Sequence, residues 1–237
     1  MKPVLRVESL LKSYEIPPQG SKNSGAVERL QVLRGVSFEV QSGERLAIMG
    51  RSGGGKSTLL GCLSGLDVGD SGKVEVLGHD LAKMTSGVLN AFRASSIGIV
   101  FQQFQLLDHF TALENVRLPL DLAGRNPVDA DRVALEKLSR VGLAERAEHF
   151  PSQMSRGECQ RVAIARVLAM GCPLIFADEP TGSLDVRTGK AVMDLLFESA
   201  KEVGASLVLV THDPILAARC DRVLRIEDGV LKEGALS

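Results

Sequence analysis

Two hydrophobic rhythms take turns along this 237-residue chain and divide it into stretches of different kind. Residues 4–10 mix apolar and polar side chains in the alternating manner of a half-buried strand. Residues 33–40 and 45–49 are strand candidates on either side of a Ser42-Gly43 turn, and residues 73–77 alternate again before Gly78. Residues 15–25, with Pro17-Pro18 and Gly20 among polar neighbours, break the pattern and read as a loop. Thr85 or Ser86 is placed to cap a short helix through Phe92, and the apolar residues 97–101 read as a buried strand.

From Gln102 to about Pro151 the period lengthens. Residues 111–122 and 129–141 carry helical spacing, with Val133, Leu135, Leu138 and Val141 roughly on one face, and no comparable strand interrupts them. Strand–helix alternation then resumes. It predicts helices at 157–170 and 187–203, strands at 174–177 and 206–210, and a short helix at 214–220. A final hairpin of 222–226 and 230–232 turns at Asp228-Gly229. The near-continuous apolar runs at 174 and 207 predict parallel strands covered on both faces. The expected fold is α/β: a mixed-sheet core with an antiparallel β edge, formed by residues 1–101 and about 171–237. A helical subdomain of about 102–170 is inserted into it, and the whole, 1–237, is a single domain.

Composition narrows the partners. The 28 basic and 29 acidic residues give a net charge of -1, which argues against a dedicated polyanion surface, so no nucleic acid is expected. No apolar run approaches the roughly 18 residues that span a bilayer. The first seven residues lack the apolar core of a secretory signal, so the chain is expected to stay in the cytoplasm unless another subunit holds it at a membrane. Cys62, Cys159, Cys172 and Cys220 are scattered without a C-x-x-C pair or a nearby histidine cluster, as reduced thiols are.

The chemistry starts at Gly50-Arg51-Ser52-Gly53-Gly54-Gly55-Lys56-Ser57-Thr58, which fits the G-x-x-x-x-G-K-[ST] phosphate loop without a mismatch. Glycines let the backbone curl so that its N–H groups face phosphate oxygens, and the following helix adds its positive N-terminal end. Lys56 can reach the β- and γ-phosphates, and the Ser57 hydroxyl can ligate Mg²⁺. A flexible Gly/Ser turn is the bland alternative, and the strand before the loop and the helix after it speak against that.

Asp178-Glu179 ends an apolar strand, where an α/β sheet offers residues to its ligand crevice. Asp178 is placed to hold Mg²⁺ and Glu179 to polarise a water attacking the γ-phosphate; a solvated turn is the alternative. Ser155-Arg156-Gly157-Glu158 opens a strongly helical run and reads either as a second anion site or as a plain helix cap. Gln102, Tyr14 and His212 sit at further strand ends or on exposed chain. There an amide can meet Mg²⁺ or water, a ring can stack on a base, and an imidazole can donate to a phosphate. Each alone is more often structural.

Taken in order, Tyr14, the phosphate loop, Gln102, Ser155-Arg156-Gly157-Glu158, Asp178-Glu179, Ser183-Leu184-Asp185 and His212 make the chain resemble the ATP-binding-cassette ATPases over nearly its whole length. The resemblance implies a phosphate-loop NTPase (RecA-like) fold, with ATP and Mg²⁺ as ligands. It makes Tyr14 the adenine-stacking ring, with Gly50, Ser52, Gly53, Gly55, Lys56, Ser57 and Thr58 around the phosphates. Ser57, Gln102 and Asp178 would attend the metal, and Lys56, Glu179 and His212 the reaction. Ser155, Gly157, Glu158 and Asp185 would reach the ATP held by a second copy in a head-to-tail dimer.

Ser64-Gly65-Leu66-Asp67, Val100-Phe101-Gln102-Gln103-Phe104 and Thr111-Ala112-Leu113-Glu114-Asn115-Val116 look closest to the lipoprotein-release and macrolide-export ATPases. So does the stretch from Asp178-Glu179-Pro180 to Asp185. By that resemblance the protein is an ATPase subunit at the cytoplasmic face of the inner membrane, driving permease subunits that export or extract a lipoprotein, lipid or hydrophobic compound. The alternative is a regulatory ATPase that signals through a permease-like partner without moving substrate. One departure stands out: Met154-Ser155-Arg156-Gly157-Glu158 replaces the usual Leu-Ser-Gly-Gly-Gln/Glu. Any positive φ at Arg156 would be strained, yet the retained Ser155 and Gly157 are expected to make the substitution tolerable.

Overall fold

The computed structural model describes residues 2–16, 28–51 and 53–234. Leu5–Ile16 (β1) pairs antiparallel with Glu28–Val40 (β2), so the first strand runs six residues beyond the alternating stretch that announced it. The alternation is lost because Glu8 and Ser9 are exposed in succession. The ladder shifts register there, with Ser9 at a φ of 46°, and Leu10 is thereby returned to the core side. Of the predicted loop, Glu15 and Ile16 belong to β1; residues 17–25 lie outside the described residues.

Gly43, at a φ of 75°, turns the chain out of this first sheet and into Arg45–Met49 (β3), which pairs with neither β1 nor β2. Then follow Lys56–Leu63 (α1), Ser71–Val76 (β4), the two-residue His79–Asp80 (β5), Ser86–Ser96 (α2) and Ile97–Val100 (β6). Ala112–Leu122 (α3) and Pro127–Arg140 (α4) come next without a strand between them. The first starts where the sequence predicts it, and the second two residues before the predicted 129. Thr111 and Glu114 form a reciprocal capping box for α3, and Asn126 caps α4 with Pro127 in the first turn.

The chain closes with Arg156–Met170 (α5), Leu174–Asp178 (β7), Val186–Glu202 (α6), Ser206–Thr211 (β8), Pro214–Ala217 (α7), Arg222–Glu227 (β9) and Val230–Glu233 (β10). The short helix is four residues rather than the predicted seven.

The antiparallel strands occur in two places. One is the separate four-stranded sheet β2-β1-β4-β5; the other is the β9–β10 hairpin. That hairpin edges a six-stranded sheet of order β10-β9-β3-β8-β7-β6, whose remaining pairs are parallel. Alternate residues of the central strands serve two cores. Leu46, Ile48, Phe176, Val208 and Val210 pack with α1 and the first sheet, whereas Ala47, Met49, Ile175, Ala177, Leu207 and Leu209 pack with α3 to α6. With both faces covered, the carboxyl ends of β3, β7 and β8 open at one rim, and the functional side chains gather there.

Candidate nucleotide site

The loop from β3 to α1 is shaped by what its glycines avoid. A Cβ on Gly50 would lie 2.6 Å from Ile226 Cγ2 and 2.7 Å from the Ile226 carbonyl at the end of β9. Gly53 and Gly55 take left-handed φ values of 78° and 93°, and Gly55 leaves the start of α1 with no side-chain cap. The first N–H groups of α1 therefore face the cavity at the rim, where a phosphate can take them. Lys56 is buried and donates from Nζ to the Gly50 carbonyl at 2.9 Å and the Arg51 carbonyl at 3.0 Å. Ser52 lies outside the described residues.

Two acids arrive from β7. Asp178 ends the strand and accepts from Ser57 Oγ at 3.3 Å. Burial pushes its carboxyl above the ordinary range; Glu179 adds to the shift, and Ser57 and Lys56 oppose it. Glu179 takes a left-handed φ of 45°, held by its N–H to the Val210 carbonyl and its own carbonyl to Gly182 N, both 2.9 Å. Its Oε2 meets His212 Nδ1 at 2.6 Å and its Oε1 lies 3.8 Å from Lys56 Nζ.

Gln102 follows β6 and approaches from the side: a Cβ on Gly182 would lie 2.6 Å from Gln102 Nε2. Tyr14, Gly53, Gly55, Lys56, Ser57, Thr58, Gln102, Asp178, Glu179 and His212 thus line one cavity of ≈ 690 Å³.

The donors present suit Mg²⁺. The Ser57 hydroxyl, the Asp178 carboxylate and the Gln102 amide oxygen are all hard donors on this cavity. Among the described residues no group of three or more His, Cys, Asp or Glu converges. A cation that takes one or two protein oxygens and completes its shell with substrate phosphates and water needs no larger cage.

The remaining predicted residues are elsewhere. Ser155 caps α5 in a reciprocal box with Glu158: Ser155 N and Oγ donate to Glu158 Oε2 at 2.8 Å each, and these bonds hold Glu158 below the usual carboxylate range. Of the two readings of this helix start, the cap is visible in the chain itself. Asp185 caps α6, accepting from Arg187 N at 3.1 Å and Thr188 N at 3.0 Å. Gly157 is pressed so close to Thr188 of α6 that a Cβ would collide with the threonine methyl. None of Ser155, Gly157, Glu158 and Asp185 lines the cavity with Lys56. Arg156 is the first residue of α5, is not among the positive-φ residues, and reaches Ser183 O with Nη1 at 3.4 Å. The anticipated strain is absent, because a helix start needs no left-handed residue there.

Two positioning residues escaped the sequence reading. Phe104 and Gln105 both take left-handed φ values, 42° and 51°, and Arg166 of α5 donates to their carbonyls at 2.9 and 2.6 Å. The fully buried Asn115 donates to the carbonyls of Leu107, Phe110 and Thr111 and accepts from Leu107 N. The clue for Arg166 was a charged residue between Ala165 and Val167 in an otherwise apolar stretch.

Comparison with known proteins follows the same outline. Residues 33–182 match the family model described as ABC transporter. The chain is 47% identical to the uncharacterized ABC transporter ATP-binding protein YbbA of Escherichia coli (strain K12), over 87% of this chain and 90% of that protein. It is 45% identical to the lipoprotein-releasing system ATP-binding protein LolD of Shewanella oneidensis, over 97% and 96% respectively. A solved dimeric structure of the ATP-binding cassette MJ0796, in a post-hydrolysis state bound to ADP and Pi, superposes with a TM-score of 0.87. The two are 36% identical, and the match covers 98% of this chain and 99% of that one.

Proposed function

The chain belongs to the ABC transporter family, and from that premise we propose that it works as a head-to-tail homodimer driving a membrane permease. It is an ATP-binding subunit of an ABC transporter and an ATPase. One observation carries the dimeric reading. Lys56, Ser57, Asp178, Glu179 and His212 share a cavity, whereas Ser155 and Gly157 start a second helix outside it in the same chain. A second copy would bring that helix start to the phosphates. Val186 and Ile215, 92% and 75% exposed at the starts of α6 and α7, are apolar side chains that such a partner would cover.

In the proposed site Tyr14 stacks on the base, Lys56 and the N–H groups of the loop hold the phosphates, and Glu179 orients the attacking water with His212 beside it. Ser57 and Asp178 would hold Mg²⁺, with Gln102 alongside; when bound, the ion supplies charge neutralisation at the phosphates. Closure of two copies over shared ATP would move the segment of residues 102–116, where the permease would dock; Leu107 is half-exposed there. The cargo would be a lipoprotein, lipid or other hydrophobic compound, exported or extracted from the membrane, and the subunit would lie at the membrane's cytoplasmic face. Among the described residues no helix is long and apolar enough to cross a membrane, so attachment would depend on the permease.

Light scattering on Glu179→Gln with Mg²⁺ and ATP tests the dimer. The expected result is a dimer with ATP and a monomer without it, while Lys56→Ala neither dimerises nor turns over. A Glu179→Gln protein that binds ATP and stays monomeric would overturn the shared site. Affinity capture from solubilised membranes, with mass spectrometry, tests the permease. Recovery of a permease whose stimulated hydrolysis moves none of these cargoes would overturn the export reading alone.

A further inference from the structure

Tyr14 is fixed in the cavity wall by a charged pair behind it. Its hydroxyl donates to Asp67 Oδ2 at 2.7 Å. The other oxygen of that carboxylate, Oδ1, accepts from Lys12 Nζ and from Val68 N, each at 2.7 Å. Lys12 Nζ also donates to the Val68 carbonyl at 2.7 Å and lies over the Tyr14 ring, 4.9 Å from its centre. Only 11% of the Lys12 side chain is exposed, so this lysine is committed to the contact rather than to solvent. Tyr14 as a residue is 41% exposed, and with one ring face under Lys12 the opposite face is the one left for a ligand.

The anchor is tied to the phosphate loop. Asp67 follows α1, and the N–H groups of Leu66 and Asp67 donate to the Gly61 carbonyl within that helix at 2.9 and 3.0 Å. A continuous path therefore runs from Lys56 at the start of α1, through Gly61 and Asp67, to the Tyr14 phenol. Burial works against the charge on Asp67, but the bonds from Lys12, Tyr14 and Val68 hold its carboxyl below the usual range. Burial likewise opposes the Lys12 charge and Asp67 outweighs it. The pair is thus ionised throughout neutral pH.

We propose that Asp67 is a positioning residue for the nucleotide base: clamped by Lys12, it fixes the Tyr14 ring at a set distance from the phosphate loop. Base and triphosphate then reach their partners together. The proposal rests on the reading of Tyr14 as the base-stacking ring. A stacked ring favours any base with a π face, so the effect is on nucleotide affinity in general, ATP and GTP alike.

The chain holds one tyrosine and no tryptophan, so near-ultraviolet phenolate absorbance reports Tyr14 alone. Burial and the Asp67 bond both raise the Tyr14 phenol above its ordinary value, so Asp67→Asn should ionise it at lower pH than the wild type. In steady-state hydrolysis by the full chain, Asp67→Asn should raise KM for ATP and for GTP about three- to tenfold and leave kcat unchanged. Inhibition by tripolyphosphate, which has no base, should be unaltered. Tyr14→Phe, which keeps the ring and the Asp67–Lys12 pair, should raise KM by a similar factor, and the double variant no further. If Asp67→Asn fails to fold, Tyr14→Phe decides on the same KM and tripolyphosphate measurements.

An unchanged KM in Asp67→Asn or Tyr14→Phe, with a raised KM in Tyr14→Ala, overturns the positioning role and leaves the base-stacking reading standing. An unchanged KM in Tyr14→Ala overturns both. Tripolyphosphate inhibition that weakens in step with KM would show that Asp67 supports the phosphate loop instead, and the proposal would fall.

Discussion

The Glu179 carboxylate holds the His212 imidazole at 2.6 Å on one oxygen and faces the Lys56 ammonium at 3.8 Å on the other. The three side chains come from the ends of β7 and β8 and the start of α1, so the sheet rim alone brings them together. His212→Ala would leave Glu179 with Lys56 as its sole neighbour in this trio. We expect kcat for ATP hydrolysis to fall about 10²-fold or more, with KM changed by less than about threefold. Phosphate-release kinetics measure both; a raised KM with kcat unchanged would move His212 from the reaction to binding.

Asp178 couples stability to pH. Its folded-state value is raised, so above that value the ionised, buried carboxylate destabilises the folded chain relative to the unfolded one. Below about 3.9, the ordinary aspartate value, both states are protonated and the group has no effect. Asp178→Asn should therefore raise Tm at pH 7 and lose that advantage as pH falls through the window between the two values, while ATP turnover disappears. Thermal melts from pH 8 downward test this; a gain that stays constant with pH would rule out the buried charge as its source.

Gly157 and Thr188 are coupled across α5 and α6. An alanine Cβ at 157 would strike the Thr188 methyl, and a β-branched side chain has little rotamer freedom to step aside. Gly157→Ala is expected to cost about 1–3 kcal/mol in urea unfolding. Thr188→Ser, which removes the methyl and keeps the hydroxyl, should recover much of that in the double variant. Strictly additive losses would mean that the two sites are independent.

Arg156 occupies an unstrained helical position and is exposed. Arg156→Gly is accordingly expected to change ATP hydrolysis by less than about threefold, and to lower stability by at most about 1 kcal/mol through the flexibility of glycine in a first turn. A many-fold rise in hydrolysis would show that the arginine obstructs the working state.

Much of the fold was readable because several cues agree locally. Residues 45–49, 97–100 and 174–178 are largely apolar on both faces, and Thr111 and Ser155 each stand at a helix start. What was not readable depends on pairing across distance. The bulge at Ser9 hides the second half of β1 from any period count, and the passage from one sheet to another at Gly43 looks in sequence like an ordinary hairpin. In the site, the phosphate loop and Asp178-Glu179 are contiguous motifs, whereas Asp67 beneath Tyr14, and Arg166 against the Phe104 and Gln105 carbonyls, are links between segments more than fifty residues apart. Only the fold brings them into contact.

The left-handed backbone at Glu179 sets two kinds of selection against each other. A residue with a Cβ is held there at a cost on the order of 1 kcal/mol or more, and glycine would release it. A library of this gene sorted only for survival on heating would favour glycine at 179 and discard the carboxylate, enriching chains that endure and no longer turn over. Thermostabilising this enzyme therefore calls for a second sort, on phosphate release, from the first round onward.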